Sequence, residues 1–297
     1  MKTDIYTRIT DQIVTALEAG VKPWHRPWNA GHTEGRIMRP LRSNLEPYRG
    51  INVLTLWMEA AAHGYTSPVW LTFRQAKALG GHVRKGEQGS LVVYASTLNR
   101  EETDVTTGEA TERVIPFLKG YTVFNVTQVE GLPGHFYAQE GRPTQPVERI
   151  AKAEAFVAAT RANITLSGSQ ASYCLGDDVV RMPPIDAFED VQAYYATLIH
   201  ELTHWTRHST RLDRDLGRKR WGDAGYAMEE LVAELGAAFV LADLDLSPQP
   251  RAAHASYIAS WLAVLRHDKR AIFSAAAYAQ RAADYLHGFQ APMQEAA

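Results

Sequence analysis

The residues with the clearest chemical capacity are two histidines and a glutamate in the segment His200-Glu201-Leu202-Thr203-His204. In a helix, side chains four residues apart lie on one face, about one turn apart, so both imidazoles can bind a single metal ion. Glu201 then lies beside the metal, where a carboxylate can take a proton from an acidified water. The H-E-x-x-H spacing is typical of zinc peptidases, and it predicts His200 and His204 as ligands and Glu201 as the catalytic base.

The residues before the motif must form the helix that carries it. Positions 190–199 place apolar side chains at helical spacing, and no Gly or Pro interrupts the segment through His204. The alternative is a surface helix with two incidental histidines. Nitrogen and oxygen donors also accept Mn²⁺ and other divalent ions, so the prediction is Zn²⁺ with these metals as alternatives.

A catalytic zinc site needs a third protein ligand. His208 continues the spacing, but it lies about 12 Å beyond the first ligand at 1.5 Å per residue, too far to share an ion. Residues 226–239 predict a second helix with an apolar face and three carboxylates. Glu230 and Glu234 share a face, and we expect Glu230 to be the ligand and Glu234 to accept a hydrogen bond from the free nitrogen of a ligand histidine. Glu229 points about 100° away, where we expect a solvated charge.

Charge is distributed unevenly along the 297 residues, although the net charge is only −2. Residues 1–100 carry 13 Lys and Arg against 7 Asp and Glu, while the rest carries 18 against 26. A basic segment joined to an acidic one suggests that the first meets a polyanion. Cations can neutralise phosphates and aromatic rings can stack on unpaired bases, which favours single-stranded DNA read with little sequence preference. The predicted contacts are Lys22, Trp24, Arg26, Trp28, Arg39, Arg42, Tyr48, Arg49 and Lys85. The alternative is that Trp24 and Trp28 pack a loop onto the core.

Several motifs together resemble one protein family. H-E-L-T-H followed by E-E-L-V-A-E at residues 229–234 resembles the gluzincin metallopeptidases, and within them the C-terminal domain of ArdC-type antirestriction proteins. The N-terminal half resembles the single-stranded-DNA-binding domain of that family. The matching segments are K-P-W-H-R-P-W at 22–28, Y-R-G-I-N at 48–52, F-R-Q-A-K-A-L-G-G-H-V-R-K-G-E-Q-G at 73–89 and V-F-N-V-T-Q at 123–128. The resemblance implies a plasmid protein that shields DNA transferred by conjugation from host restriction.

Three functions remain open at this point. The first is antirestriction by coating of single-stranded DNA, with a zinc-dependent metallopeptidase-like domain whose peptidase activity is undecided. The second is a DNA-associated zinc metalloprotease that removes DNA-bound proteins, with a host restriction enzyme or another protein as substrate. The third is a pure single-stranded-DNA-binding protein in which the metal only holds the fold. If peptides are cleaved, Tyr226, Tyr173 and His208 are candidates to stabilise the oxyanion.

Length and patterning predict an α+β protein of two domains. A small α+β single-stranded-DNA-binding domain at residues 1–131 and a linker at 132–146 precede a mainly helical zincin-like domain at 147–297. Within the second domain we assign the cleft-lining edge strand to residues 177–182. No segment is long and apolar enough for a membrane span, and the N-terminus does not read as a signal peptide. Cys174 is the single cysteine and cannot form an internal disulfide, so we expect a cytoplasmic protein.

Overall fold

The computed structural model describes residues 4–24, 38–103, 110–137, 146–217, 223–246 and 254–290. The helices of this part of the chain are α1 (Ile5–Glu18), α2 (Ile51–His63), α3 (Phe73–Ala78), α4 (Pro146–Thr160), α5 (Val191–Trp205), α6 (Ala224–Asp243), α7 (His254–His267) and α8 (Ala271–His287). The strands are β1 (Trp70–Leu71), β2 (His82–Val83), β3 (Ser90–Thr103), β4 (Ala110–Asn125), β5 (Val129–Glu130), β6 (Ile164–Leu166), β7 (Ser172–Cys174) and β8 (Val179–Met182). The protein is therefore α+β, as the sequence predicts. None of the described helices combines the length and apolar character that a membrane crossing requires.

The chain forms two compact units. Unit 1 contains Met1–Pro40, Pro47–Trp57 and Gln139–Ala297, and unit 2 contains Leu41–Glu46 and Met58–Ala138. The sequence predicts two domains that are each continuous in sequence, at 1–131 and 147–297. In the structure, unit 1 instead combines the N-terminal segment with the C-terminal segment. The reason is α1, whose apolar face is buried and which packs against α7. An apolar stripe shows which face of a helix is buried but does not show which element covers it.

Helix α6 is the central element of unit 1. It is apolar on nearly all sides and packs against α5, α7 and α8. Asp223 begins it by accepting a hydrogen bond from the Tyr226 amide at 2.8 Å. Gly236 lets α5 approach closely, because a Cβ at this position would lie 2.6 Å from Cγ2 of Thr203. This contact brings the histidines of α5 towards the carboxylates of α6.

Helix α5 begins after a small sheet in unit 1. Asp190 caps the helix by accepting a hydrogen bond from the Ala193 amide at 2.7 Å. The strand order is β6-β8-β7, with β6 parallel and β7 antiparallel to β8. Residues 179–182 form the central strand, so the assignment of the edge to residues 177–182 is wrong. Alternation of side chains predicts a strand, but its neighbours are set by pairing with distant segments.

Unit 2 contains the long antiparallel pair β3–β4, to which β1 adds on the β4 side, and the short pair β2–β5. Helix α3 begins with a capping box between Thr72 and Gln75. Its buried Ala76 contributes to a core with Val69, Leu71, Val126, Val129, Leu132 and Phe136.

Candidate metal centre

Three predicted ligands meet where α5 and α6 face each other. His200 and His204 lie one turn apart on α5, and Glu230 lies on α6. One donor atom from each lies within 4.8 Å of the others. Nε2 of His200 is 3.7 Å from one oxygen of Glu230, and Nε2 of His204 is 3.5 Å from the other. Two imidazole nitrogens and one carboxylate oxygen form a donor set that fits a divalent ion such as Zn²⁺ or Mn²⁺.

The other nitrogen of His204 is held by Glu229. Nδ1 of His204 lies 3.1 Å from Oε1 of Glu229, a carboxylate that is 1% exposed. The expectation of a solvated charge at Glu229 is therefore wrong. Position 229 lies about 100° from 230 on the helix, but α5 and the segment that follows it also cover that direction, so the Glu229 carboxylate is buried. Glu229 occupies the place expected of a group that fixes the tautomer and orientation of a ligand histidine.

Arg214 neutralises Glu229, a role for which no pattern in the sequence singles this arginine out. Its guanidinium donates to both carboxylate oxygens at 2.7 and 2.8 Å, to the Thr203 carbonyl at 3.0 Å and to Oγ1 of Thr206 at 3.0 Å. Burial raises the pKa of Glu229, but hydrogen bonds from Arg214 and His204 outweigh it and lower the pKa to about 2. A loop arginine has no periodicity, so no sequence signal distinguishes this buried residue from a solvated one.

Glu234 lies beside the other histidine. Its Oε1 is 3.7 Å from Nδ1 of His200, an ion-pair distance that is longer than a hydrogen bond, and its Oε2 accepts from Nε1 of Trp24 at 3.4 Å. Glu234 therefore lies next to Nδ1 of His200, but beyond the distance of the hydrogen bond that the sequence predicts. The structure also adds Trp24, which the sequence assigns to another role.

Negative charge dominates the site. The carboxylates of Glu229, Glu230 and Glu234 lie within 4 Å of the two histidines, Glu201 is buried on the same helix as those histidines, and Arg214 is a buried cation. Burial lowers the pKa of His204, but the carboxylates of Glu230 and Glu229 outweigh it and raise the pKa to about 10. Burial raises the pKa of Glu230, yet the two histidines lower it well below its usual range. Such a site favours a bound cation.

One of the three candidates for oxyanion stabilisation reaches the ligand cluster. The Tyr226 hydroxyl lies 2.9 Å from the Tyr257 hydroxyl and is close enough to the Glu230 carboxylate to be influenced by its charge. Burial, Tyr257 and Glu230 raise the pKa of Tyr226, so its hydroxyl keeps its proton. Tyr173 instead bonds Asp178 at 2.8 Å and Arg211 at 3.1 Å, and His208 bonds Thr210 at 2.8 Å.

Three of the predicted DNA contacts are buried. Trp24 is 0% exposed, Tyr48 is 3% exposed and Arg39 is 8% exposed. Arg39 pairs with Asp243 at 3.2 Å and lies over the Phe239 ring. In this conformation these side chains offer no face to a base or phosphate, which contradicts their assignment as direct contacts. For Trp24 the alternative of packing against the core describes what the structure shows.

The remaining predicted contacts differ in accessibility. Arg42, Arg49 and Lys85 are exposed, and Lys22 is half-buried. Arg42 pairs with Glu46 at 3.3 Å, and Arg49 pairs with Asp284. Arg26 and Trp28 lie outside the described residues.

Comparison with known proteins gives a family match for each half of the chain. Residues 3–124 match the family model of the N-terminal domain of anti-restriction factor ArdC, and residues 151–278 match that of a zincin-like metallopeptidase. The uncharacterized protein y4eC of Sinorhizobium fredii is 46% identical over 298 residues, which cover 98% of this chain and 94% of that protein. A DNA primase TraC of Escherichia coli is 34% identical over 98% of this chain, but the match spans only 28% of the primase.

Two solved structures are similar over almost the whole chain. The metal-free antirestriction protein ArdC from plasmid R388 is 47% identical with a TM-score of 0.81, covering 97% of this chain and 98% of that one. The Mn(II)-bound structure of ArdC from the same plasmid is 44% identical with a TM-score of 0.80, covering 98% and 100%. Identity at this level over full length shows common descent and a shared fold. The chain belongs to the ArdC family of antirestriction proteins and carries a zincin-like metallopeptidase domain.

Proposed function

We propose that this protein binds single-stranded DNA without sequence preference, protects incoming conjugative DNA from host restriction, and acts as a divalent-metal-dependent peptidase. The observation that carries the proposal is the convergence of His200, His204 and Glu230, with Glu201 on the same helix, in a chain of the ArdC family. Zinc is the proposed metal, and the Mn(II)-bound relative supports manganese as the alternative.

The residues of the site divide the chemistry between them. A divalent ion held by the three ligands would supply a Lewis acid that polarises a carbonyl and acidifies water. Glu201 accepts a proton from the attacking water and later delivers it to the leaving amine. Tyr226, which keeps its proton, donates from its hydroxyl to negative charge that develops on the carbonyl oxygen. Glu229 and Arg214 hold His204 in place during these steps.

Restriction protection in cells, measured with full-length variants, tests the peptidase part. Truncation is not suitable, because α1 packs against α7 and its removal would expose the core of unit 1. Glu201→Gln removes the base but keeps all three ligands, so metal binding is expected to persist while peptide cleavage and cleavage-dependent protection are lost. If Glu201→Gln protects like wild type and His204→Ala does not fold, the metal is structural and the peptidase proposal is wrong.

Binding of an oligothymidine across a salt titration tests the DNA part. Lys85→Ala is expected to weaken binding and to reduce the slope of log affinity against log salt by about 0.7, the share of one single-strand phosphate contact. Lys152→Ala, which removes another exposed cation, in unit 1, is the control and is expected to change neither the affinity nor the slope. Absence of oligothymidine binding by the wild type would refute this part of the proposal.

A further inference from the structure

Trp24 is fully buried in unit 1, although it belongs to the basic N-terminal segment. It follows α1, which ends at Glu18, and a left-handed turn at Gly20 with φ 77°. Its ring meets the edge of Trp261 at a centroid distance of 5.8 Å. A buried indole N–H needs an acceptor, because leaving it unpaired costs the hydrogen bond that it made to water. That acceptor is Oε2 of Glu234, at 3.4 Å.

Glu234 connects this indole to the ligand cluster. Its side chain is 7% exposed, and its Oε1 lies 3.7 Å from Nδ1 of His200. The carboxylate therefore lies between the Trp24 N–H on one side and the imidazole of His200 on the other. A buried carboxylate is oriented by the donors that it accepts from, and in turn it orients the imidazole whose second nitrogen binds a metal.

The two ligand histidines are supported from different parts of the chain. His204 is supported by Glu229, which Arg214 holds from the segment directly after α5. His200 is supported by Glu234, which Trp24 holds from a position 210 residues earlier in the chain. The support of His200 therefore includes a residue outside the zincin-like match at 151–278.

We infer that Trp24 is a positioning residue of the metal site, which acts through Glu234 on His200. The inference rests on the proposed metal site. It adds that this site depends on a contact between two residues that lie in different family matches, Trp24 in one and Glu234 in the other. The N-terminal segment completes the site, so the affinity for a divalent ion depends on a residue that lies in the match to the ArdC N-terminal domain.

The test is the affinity of the full-length protein for Zn²⁺ and Mn²⁺, measured by competition with a chromophoric chelator. Trp24→Phe keeps an aromatic ring but removes the N–H, and it is expected to weaken metal binding by about ten-fold, the lower end for groups that support a ligand. Trp57→Phe is the matched control. It removes an indole N–H that donates to the Met38 carbonyl at 2.8 Å and not to a carboxylate beside a ligand histidine, so it is expected to leave the affinity unchanged.

A double-mutant cycle separates positioning from general loss of structure. In a Glu234→Gln background, Trp24→Phe is expected to weaken metal binding no further, because the carboxylate through which Trp24 acts on His200 is already replaced. Equal effects of Trp24→Phe in both backgrounds, or an effect matched by Trp57→Phe, would overturn the inference. If Trp24→Phe does not fold, benzothienylalanine at position 24 keeps the ring shape and removes only the N–H, and wild-type affinity would then overturn it. A wild type that binds neither ion contradicts the proposed metal site itself.

Discussion

Replacement of Arg214 by methionine tests whether the support of His204 is a buried ion pair. The side chains of Arg214 and Glu229 are 1% and 2% exposed. Arg214→Met keeps a long apolar side chain but leaves Glu229 without its cation. It also removes the donors to the Thr203 carbonyl and to Oγ1 of Thr206. The expected result is a large loss of stability in unit 1.

Two routes give a similar magnitude for that loss. Removal of one partner of a buried ion pair costs about 3–5 kcal/mol, because the remaining charge is uncompensated. The fall in the pKa of Glu229 from 4.5 to about 2, which Arg214 and His204 produce together against burial, corresponds to about 3.5 kcal/mol at about 1.4 kcal/mol per unit, which is the same order. Because the folded pKa lies below the ordinary value, this contribution is complete above pH 4.5 and is lost as the pH falls towards 2. The effect of Arg214→Met is therefore expected in full at pH 7 and should shrink below about pH 4.5.

The assay is equilibrium unfolding in urea, followed by circular dichroism with a chelator present to keep the protein free of metal. Arg211→Met is the control in the same loop, since the Arg211 side chain is 7% exposed and its partner Asp178 is 37% exposed. Pairs that contact solvent contribute roughly 1 kcal/mol or less. If Arg214→Met lowers the free energy of unfolding no more than Arg211→Met does, the ion-pair reasoning is wrong.

Three further predictions concern packing, pH and metal. Gly236→Ala is expected to lower the free energy of unfolding by about 1–3 kcal/mol, because the new Cβ meets Thr203, whereas Gly134→Ala enters open space and serves as the control in thermal unfolding. A hydrogen bond from Arg211 lowers the pKa of Asp178, so Asp178→Asn is expected to cost about 1 kcal/mol or less at pH 7, and the difference should vanish in urea unfolding as the pH falls below about 4. Zn²⁺ or Mn²⁺ at about 100 times its dissociation constant is expected to stabilise the wild type by about 2.7 kcal/mol, and a shift of the same size in His200→Ala would contradict the ligand assignment.

Local spacing was sufficient for much of the candidate site. The i, i+4 relation of His200 and His204 follows from helical geometry, and Glu230 could be selected because a carboxylate on so apolar a helix has few other roles. The two helices that carry these residues were also predicted, from the helical spacing of apolar side chains at 190–199 and 226–239, and the structure contains both.

Contacts between distant segments could not be predicted in the same way. Glu229 was expected in solvent because its direction on α6 is known from the sequence, but the element that covers that direction is not. Arg214 and Trp24 become parts of the site through packing across 15 and 210 residues of sequence. The edge of the small sheet was misassigned for the same reason, since β6 and β7 pair on either side of β8.

The sequence by itself determined the family and the α+β class of this protein, and it predicted which residues would bind a metal and transfer a proton. Only the tertiary structure decided which groups support those residues and which basic and aromatic side chains remain accessible. The physical reason is that side-chain type and helical period are local properties, whereas burial is a property of the surfaces that meet. Trp24 is an aromatic residue in a basic segment, which is typical of a DNA contact. The tertiary structure instead buries it against Glu234, where we infer that it supports the metal site.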